Sequence, residues 1–121
     1  MEELKYVEMK KTWRERKERN KLKELKRKED ALDKAKMVSD HLKNKYGVEY
    51  VYLFGSLIWG KHFTASSDID LLICGFPDNI NYWEVLAAVE RMAMPFPISL
   101  VLDSTADQGL KEKVMKEGVL L

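Results

Sequence analysis

Residues 51–74 read VYLFGSLIWGKHFTASSDIDLLIC and contain two apolar segments separated by a polar loop. The first apolar segment begins before the quoted stretch, at residue 48, and ends at residue 54; it is rich in β-branched and aromatic residues, which predicts a strand. It runs into Gly55 and Ser56, a pair typical of a tight turn that opens a short helix. The second apolar segment, residues 69–74, is continuous, which predicts a strand that is buried on both faces.

Two carboxylates stand at the start of the second strand. Because strand side chains alternate, Asp68 and Asp70 point to the same face and lie roughly 6–7 Å apart along the strand. Paired carboxylate oxygens favour a hard cation such as Mg²⁺, which takes its remaining ligands from water and substrate phosphates. The turn at Gly55 and Ser56 offers backbone N–H groups and a hydroxyl to the same phosphates. The structural alternative is that Ser56 caps the short helix and the carboxylates are simply solvated.

Five positions of this segment match a known signature, which consists of a strand, Gly-Ser, a later Gly and then Asp-x-Asp within an apolar strand. With these matches the segment resembles the DNA polymerase β-like nucleotidyltransferase superfamily, and most closely its small single-domain prokaryotic members, the minimal nucleotidyltransferases. Residues 110–121 also resemble the closing helix and strand of that family, so the resemblance covers roughly residues 31–121. The matching positions are Gly55, Ser56, Gly60, Asp68 and Asp70.

The resemblance implies both a fold and an activity. The fold is α/β (α+β), a mixed β-sheet of three to four strands with helices mainly on one face, preceded here by a long charged N-terminal helix. The predicted order of elements, helix, strand, short helix, strand, helix, strand, helix, indicates the same architecture. The implied activity is Mg²⁺-dependent transfer of a nucleoside monophosphate from a nucleoside triphosphate, ATP above all, to a protein or RNA hydroxyl. The resemblance implies that Asp68 and Asp70 hold the metal and that Gly55 and Ser56 bind the triphosphate.

The sequence departs from the family pattern beside the Gly-Ser turn. Many members carry Arg directly after Gly-Ser and again two residues later, where this chain has Leu57 and Trp59. Neutralisation of the phosphates would then have to come from elsewhere. Lys61 and His62 are the nearest candidates, and Lys61 is predicted to bind the nucleotide. The alternative is that both are ordinary surface residues.

A second departure concerns the third carboxylate, which the family usually places on the next strand. Ser99 stands at that position. Asp103 faces the same way but lies about 13 Å farther along the strand, so only a bulge or register shift would bring it into the site. We include Asp103 as a catalytic candidate, with a turn residue as the alternative. The second functional hypothesis follows from Ser99: a catalytically degenerate fold that acts as a nucleotide- or partner-binding, antitoxin-like module.

Composition limits the class of protein. A chain of 121 residues with 45% hydrophobic residues is sufficient for one globular domain. The single cysteine, Cys74, excludes an internal disulfide and is predicted to be buried. No apolar run has the length of a membrane span and no signal peptide is recognisable, so we predict a cytoplasmic protein with no membrane partner.

The charge is divided unevenly along the chain. Residues 1–50 carry 16 Lys or Arg against 11 Asp or Glu, whereas residues 51–121 carry 5 against 9. We therefore divide the chain into a basic helical extension, residues 1–30, and a nucleotidyltransferase domain, residues 31–121. The absence of Gly and Pro from residues 9–45 predicts a helix, stopped by Gly47 in the left-handed conformation.

Several roles remain open for the basic extension. Residues 9–21 could continue the helix into solvent, form a separate helix or be mobile. The extension could bind RNA, form a homodimer, contact a second protein, or present a solvated face with charges paired four residues apart. Small family members often work beside a helical HEPN-type protein as the antitoxin of a toxin–antitoxin pair, so the resemblance adds such a protein to the candidate partners.

Overall fold

The computed structural model describes the backbone of residues 2–121 and the side chains of residues 5–121. The order of its elements confirms the predicted one, with a short fourth strand at the end. Among the described residues, every helix is either too short or too polar to span a lipid bilayer. The elements are α1 (Glu2–Tyr46), β1 (Tyr50–Phe54), α2 (Ser56–Trp59), β2 (Ile69–Cys74), α3 (Tyr82–Ala93), β3 (Ile98–Leu102), α4 (Gln108–Glu117) and β4 (Val119–Leu120).

The four strands form one mixed sheet in the order β3-β2-β1-β4. Strand β1 pairs antiparallel with both β2 and β4, whereas β2 and β3 run parallel. A parallel pair needs a crossover connection, and α3 supplies it between β2 and β3. The predicted mixed sheet of three to four strands is therefore confirmed.

Strand β2 lies inside the sheet and is covered on both faces, as its continuous apolar run predicts. Ile69, Leu71 and Ile73 belong to the larger core, which also includes buried residues of α1 and α3. Leu72 and Cys74 belong to a smaller cluster with Val114 of α4. The helices thus lie mainly on one face, and α4 covers part of the other, which we call the α4 face.

Helix α1 is continuous from its N-terminal part, residues 2–30, which we call the arm, into the core. Its buried apolar residues recur every three or four positions, the spacing of one helix face. The helix ends at Gly47, which has φ +73° and donates its N–H to the carbonyl of Lys43 at 3.1 Å, as the left-handed cap predicts. The side chains of residues 5–23 are all exposed, so the arm continues the helix into solvent. The buried apolar positions are Ala31, Ala35, Val38 and Leu42, and Ser39 is buried beside them.

Candidate functional site

Gly55 forms the turn between β1 and α2. Its φ of 82° and ψ of −155° fall in a region that is essentially restricted to glycine. A Cβ at this position would lie 2.9 Å from Cγ of Asp70, which is closer than real Cβ atoms approach. Two independent reasons therefore require glycine at position 55: the backbone conformation is unfavourable for other residues, and a side chain would clash with the Asp70 carboxylate that lies against the turn.

Ser56 is the first residue of α2, and Gly55 occupies the N-cap position without a side-chain cap. The alternative in which Ser56 caps this helix is therefore wrong. The N–H groups of Ile58 and Trp59 donate to the carbonyl of Gly55 at 3.1 and 2.8 Å. As at any helix start, the first N–H groups stay outside the helical ladder, which leaves those of Ser56 and Leu57 directed away from the helix.

The two carboxylates at the start of β2 influence each other. Asp70 is half-buried and Asp68 is exposed. Burial raises the pKa of Asp70, and the neighbouring charge of Asp68 raises this pKa further. The two groups are thus close enough to repel, as the alternation of the strand predicts. Repulsion between partly desolvated carboxylates is the condition that a bound divalent cation relieves.

The strand register places Ser99 directly beside Asp70. Asp70 pairs with Phe54 of β1 and with Ser99 of β3, so the three side chains project from the α4 face. A half-buried hydroxyl thus lies where a third carboxylate would stand next to Asp70.

The donor set is compatible with Mg²⁺. Among the residues that the structure describes, no three Asp, Glu, His or Cys groups are arranged to hold one metal ion. The protein would therefore supply the two carboxylates, and water and phosphate the remaining ligands. Mg²⁺ accepts this combination readily because it keeps several waters and binds through one or two carboxylates.

Asp103, the third predicted catalytic carboxylate, does not join this pair. Strands β2 and β3 stay in continuous register from Ile69–Ile98 to Ile73–Leu102, so no bulge brings Asp103 back. Its N–H donates to the carbonyl of Ile73 at 3.0 Å, at the opposite end of β2 from Asp70. Burial raises the pKa of the Cys74 thiol there, and the charge of Asp103 adds to that effect. The continuous register therefore gives Asp103 no route back to Asp70, as the separation along the strand predicts.

The loop between α2 and β2 is held against α1. The Glu24 carboxylate accepts a hydrogen bond from the N–H of Phe63 at 2.9 Å and lies 3.2 Å from Nδ1 of His62. The hydrogen bond from Phe63 is the main reason why the pKa of Glu24 lies below its usual value. Arg27 donates to the carbonyl of Phe63 at 3.4 Å. Lys61 is exposed and lines a groove beside α1, and its role as a phosphate ligand stays a prediction.

A lysine that sequence reasoning missed lies at the α4 face. The ring of Trp59 packs near Phe54 at a centroid distance of 5.9 Å, and its Nε1 donates to the carbonyl of Glu117 at 3.2 Å. Nζ of Lys113 lies 4.3 Å from the centre of the Trp59 ring. A positive charge on α4 thus lies against the ring at position 59, where many family members carry arginine. Nothing in the local sequence of α4 signals this contact.

The fold and the site together define the class of protein. A family model described as Polymerase beta, Nucleotidyltransferase matches residues 36–121. The match spans most of the chain, and the chain belongs to this nucleotidyltransferase family. The resemblance inferred from the sequence is thereby confirmed. No curated protein matches the chain.

Solved structures show the same fold. A mutant MntA–HpeT toxin–antitoxin complex contains a chain 27% identical, with a TM-score of 0.53 over 71% of this chain and 68% of that one. A candidate nucleotidyltransferase from Sulfolobus solfataricus is 26% identical, with a TM-score of 0.52 over 79% of this chain and 83% of that one. A tri-AMPylated Shewanella oneidensis HEPN toxin in complex with MNT antitoxin matches at 22% identity and a TM-score of 0.51, covering 75% and 70%, which shows the fold alone.

Proposed function

We propose that this chain is a Mg²⁺-dependent nucleotidyltransferase that transfers AMP from ATP to a hydroxyl group of a protein or RNA. One observation carries the proposal: the Asp70 carboxylate lies against the Gly55 turn, with Asp68 on the same side. The turn can approach a triphosphate closely, and the two acids offer ligands for the cation that accompanies it. Membership of the nucleotidyltransferase family supports the reaction class.

Different residues have different roles in in-line transfer of the nucleotidyl group. Asp68 and Asp70 would hold Mg²⁺, which neutralises charge on the triphosphate. The N–H groups at the start of α2 and the Ser56 hydroxyl donate to phosphate oxygens, because Gly55 has no side chain to block their approach. The acceptor oxygen bonds to the α-phosphorus and its proton passes to solvent water, the bond from that phosphorus to the bridging oxygen breaks, and pyrophosphate leaves. A carboxylate at position 99 would assist by accepting the proton of the acceptor, and the Ser99 hydroxyl is a far weaker base.

The test is label transfer from α-labelled ATP to an acceptor in the presence of Mg²⁺. We expect Asp68→Asn with Asp70→Asn to abolish the labelled product. Asp103→Asn is the matched control, since it removes a carboxylate from the other end of the sheet and should leave turnover unchanged. Ser99→Asp should increase turnover if the missing carboxylate limits the rate. Absence of any labelled product, with every nucleotide and partner tried, would contradict the proposal.

The second candidate function is a degenerate nucleotidyltransferase fold that binds nucleotide or a partner without catalysis. The observation that favours it is the position of Ser99 directly beside Asp70. Under this alternative, Mg²⁺ with ATP should raise the melting temperature of the protein without forming pyrophosphate. Detection of pyrophosphate rules it out.

We further propose that a small helical HEPN-type protein is the partner, with this chain as the antitoxin. The likeness to the MntA–HpeT toxin–antitoxin structure supports this pairing. Co-expression with the protein encoded next to this chain should give a stable complex. Incubation with ATP should then add the mass of AMP to that protein, and an unmodified partner would restrict the proposal to binding.

A further inference from the structure

The middle of the α1 arm has an extreme charge. Residues 10–28 contain eleven Lys or Arg and three Glu, which gives a net charge of +8. Most of these side chains are exposed, and they project beyond the part of α1 that is packed in the core. A helix with this charge density attracts a polyanion.

Five of these cations form a single line along the helix. They are spaced three, four or seven residues apart, so they recur on one narrow face over about 27 Å. Within the described side chains, none of the five forms a salt bridge, and the ion pairs within α1 join Lys26 to Asp30 and Lys36 to Asp40. The expectation that these charges are paired four residues apart therefore fails for this face. We call it the basic stripe: Lys10, Arg14, Lys17, Lys21 and Lys28.

The basic stripe continues into a groove beside Lys61 and His62. This groove lies between α1 and the loop that links α2 to β2, and that same loop leads directly into Asp68. The carboxylate of Glu24 also lines the groove but is engaged by the N–H of Phe63. The cationic side chains of the groove are Lys17, Lys21, Lys28 and Lys61, with His62 beside them.

Two exposed aromatic rings flank the basic stripe. Tyr6 and Trp13 are each 64% exposed, and their spacing of seven residues places them on one side of the helix. Nζ of Lys10, at the end of the stripe, lies 5.7 Å from the centre of the Tyr6 ring. Nucleobases stack on such rings while cations hold the phosphates. An acidic protein would need the charges alone, so the aromatic rings favour a single-stranded nucleic acid.

We propose that the basic stripe, together with Lys61, binds single-stranded RNA and so holds an RNA acceptor on the chain that carries Asp68 and Asp70. The inference rests on the proposed function only in naming RNA as the acceptor class. RNA binding itself does not require the carboxylates. The variant Asp68→Asn with Asp70→Asn should therefore lose label transfer and keep its RNA affinity.

The experiment measures fluorescence anisotropy of a labelled single-stranded RNA with the full-length chain over a range of salt concentrations. Two variants with the same net charge are compared, and circular dichroism verifies the helix content of both. The stripe variant carries Lys10→Gln, Arg14→Gln, Lys17→Gln and Lys21→Gln. The control variant, altered on the other sides of the same helix, carries Lys11→Gln, Arg16→Gln, Arg19→Gln and Lys23→Gln.

For single strands, the slope of log K against log salt is about −0.7 per phosphate contact. The stripe variant should lose four contacts, so we expect its slope to be less steep by about 3 and its affinity to fall about a hundredfold or more at moderate salt. The control variant should keep most of the slope. Equal losses in the two variants, or no binding by the unmodified chain, would overturn the proposal.

A second comparison separates RNA from an acidic protein. Trp13→Ala removes a stacking ring without changing charge, and we expect it to weaken RNA binding about fivefold or more. Poly-glutamate at the same charge concentration should displace the RNA poorly. Full displacement by poly-glutamate, with Trp13→Ala unchanged, would show that the stripe serves an acidic protein instead. Intact label transfer to a protein acceptor in that case would leave the proposed function standing.

Discussion

The two halves of α1 have the same backbone and opposite surroundings. Neither half contains Gly or Pro, and the helix runs without a break from Glu2 to Tyr46. In residues 5–23 every side chain is exposed, whereas in residues 31–42 five positions are fully buried, four of them apolar. Helix propensity is therefore sufficient to explain the backbone of both halves. Small and apolar residues at helical spacing decide which half enters the core.

The boundary between the halves is polar. Glu24 and Arg27 bind the backbone of Phe63 before the first buried alanine of the helix, Ala31. These contacts show that the extension touches the domain before residue 31. The division of the chain between residues 30 and 31 stays a prediction. The arm can thus position the loop that leads to Asp68 without contributing to the core.

The largest difference in the free energy of unfolding should appear when one leucine in each half is replaced by alanine. Leu42 is fully buried, so we expect Leu42→Ala to lower the free energy of unfolding by about 2–5 kcal/mol through lost burial and an unfilled cavity. Leu22 is 65% exposed, and Leu22→Ala should change it by less than about 0.5 kcal/mol. Urea denaturation of both variants measures this. Equal losses would mean that the arm is packed as tightly as the core.

The next comparison concerns alanine substitutions at two glycines. At Gly47 the substitution causes backbone strain alone, whereas at Gly55 it also causes a clash in the candidate site. Gly47, at the end of α1, has φ +73° and open space where an alanine methyl group would lie, so Gly47→Ala should reduce the free energy of unfolding by about 1 kcal/mol. At Gly55 the added methyl also meets Asp70, so Gly55→Ala should cost about 1–3 kcal/mol or more. It should also abolish nucleotide-dependent stabilisation in thermal unfolding, which Gly47→Ala should retain. Equal behaviour of the two variants would remove Gly55 from the site.

A smaller effect concerns the carboxylate in the site. Because burial and the charge of Asp68 raise the pKa of Asp70, the Asp70 carboxyl group binds its proton more tightly in the folded chain than in the unfolded chain. The resulting stabilisation is complete below the unfolded pKa and is lost as the pH rises through the folded pKa. At neutral pH, Asp70→Asn should therefore raise the melting temperature without metal, and Mg²⁺ should stabilise the unmodified chain only. A melting temperature that is insensitive to Mg²⁺ in both proteins would contradict the metal site.

The smallest effect concerns Glu24 in the arm, whose contribution to stability should change with pH in the opposite direction to that of Asp70. The hydrogen bond from Phe63 lowers the pKa of Glu24, so its contribution to stability is present above the unfolded pKa and is lost as the pH falls through the folded pKa. Glu24→Gln should slightly lower the melting temperature at neutral pH, and the difference should vanish in acid. Glu18→Gln, on an exposed part of the arm, is the control and should leave the melting temperature at neutral pH unchanged.

Particular residues show how far the sequence reaches. The continuous apolar run in residues 69–74 and the Gly-Ser turn predicted the strands, and the family match confirmed the resemblance. The placement of Asp103 away from the site was readable as a distance along the strand. The contacts of Lys113 with Trp59 and of Glu24 with Phe63 were not readable, because they join residues far apart in the chain. Neither contact leaves a periodic pattern that sequence reasoning could detect.

Local chemistry was enough to place two carboxylates on one side of a strand and a glycine at the preceding turn, because strand alternation and glycine's backbone freedom act within a few residues. Which side chains surround those carboxylates was decided by the assembled sheet. The parallel register of β3 sets Ser99 beside Asp70, and the packing of α1 against the loop brings Glu24 to Phe63. Such pairings depend on how distant segments pack together, and that geometry exists only once the core has formed.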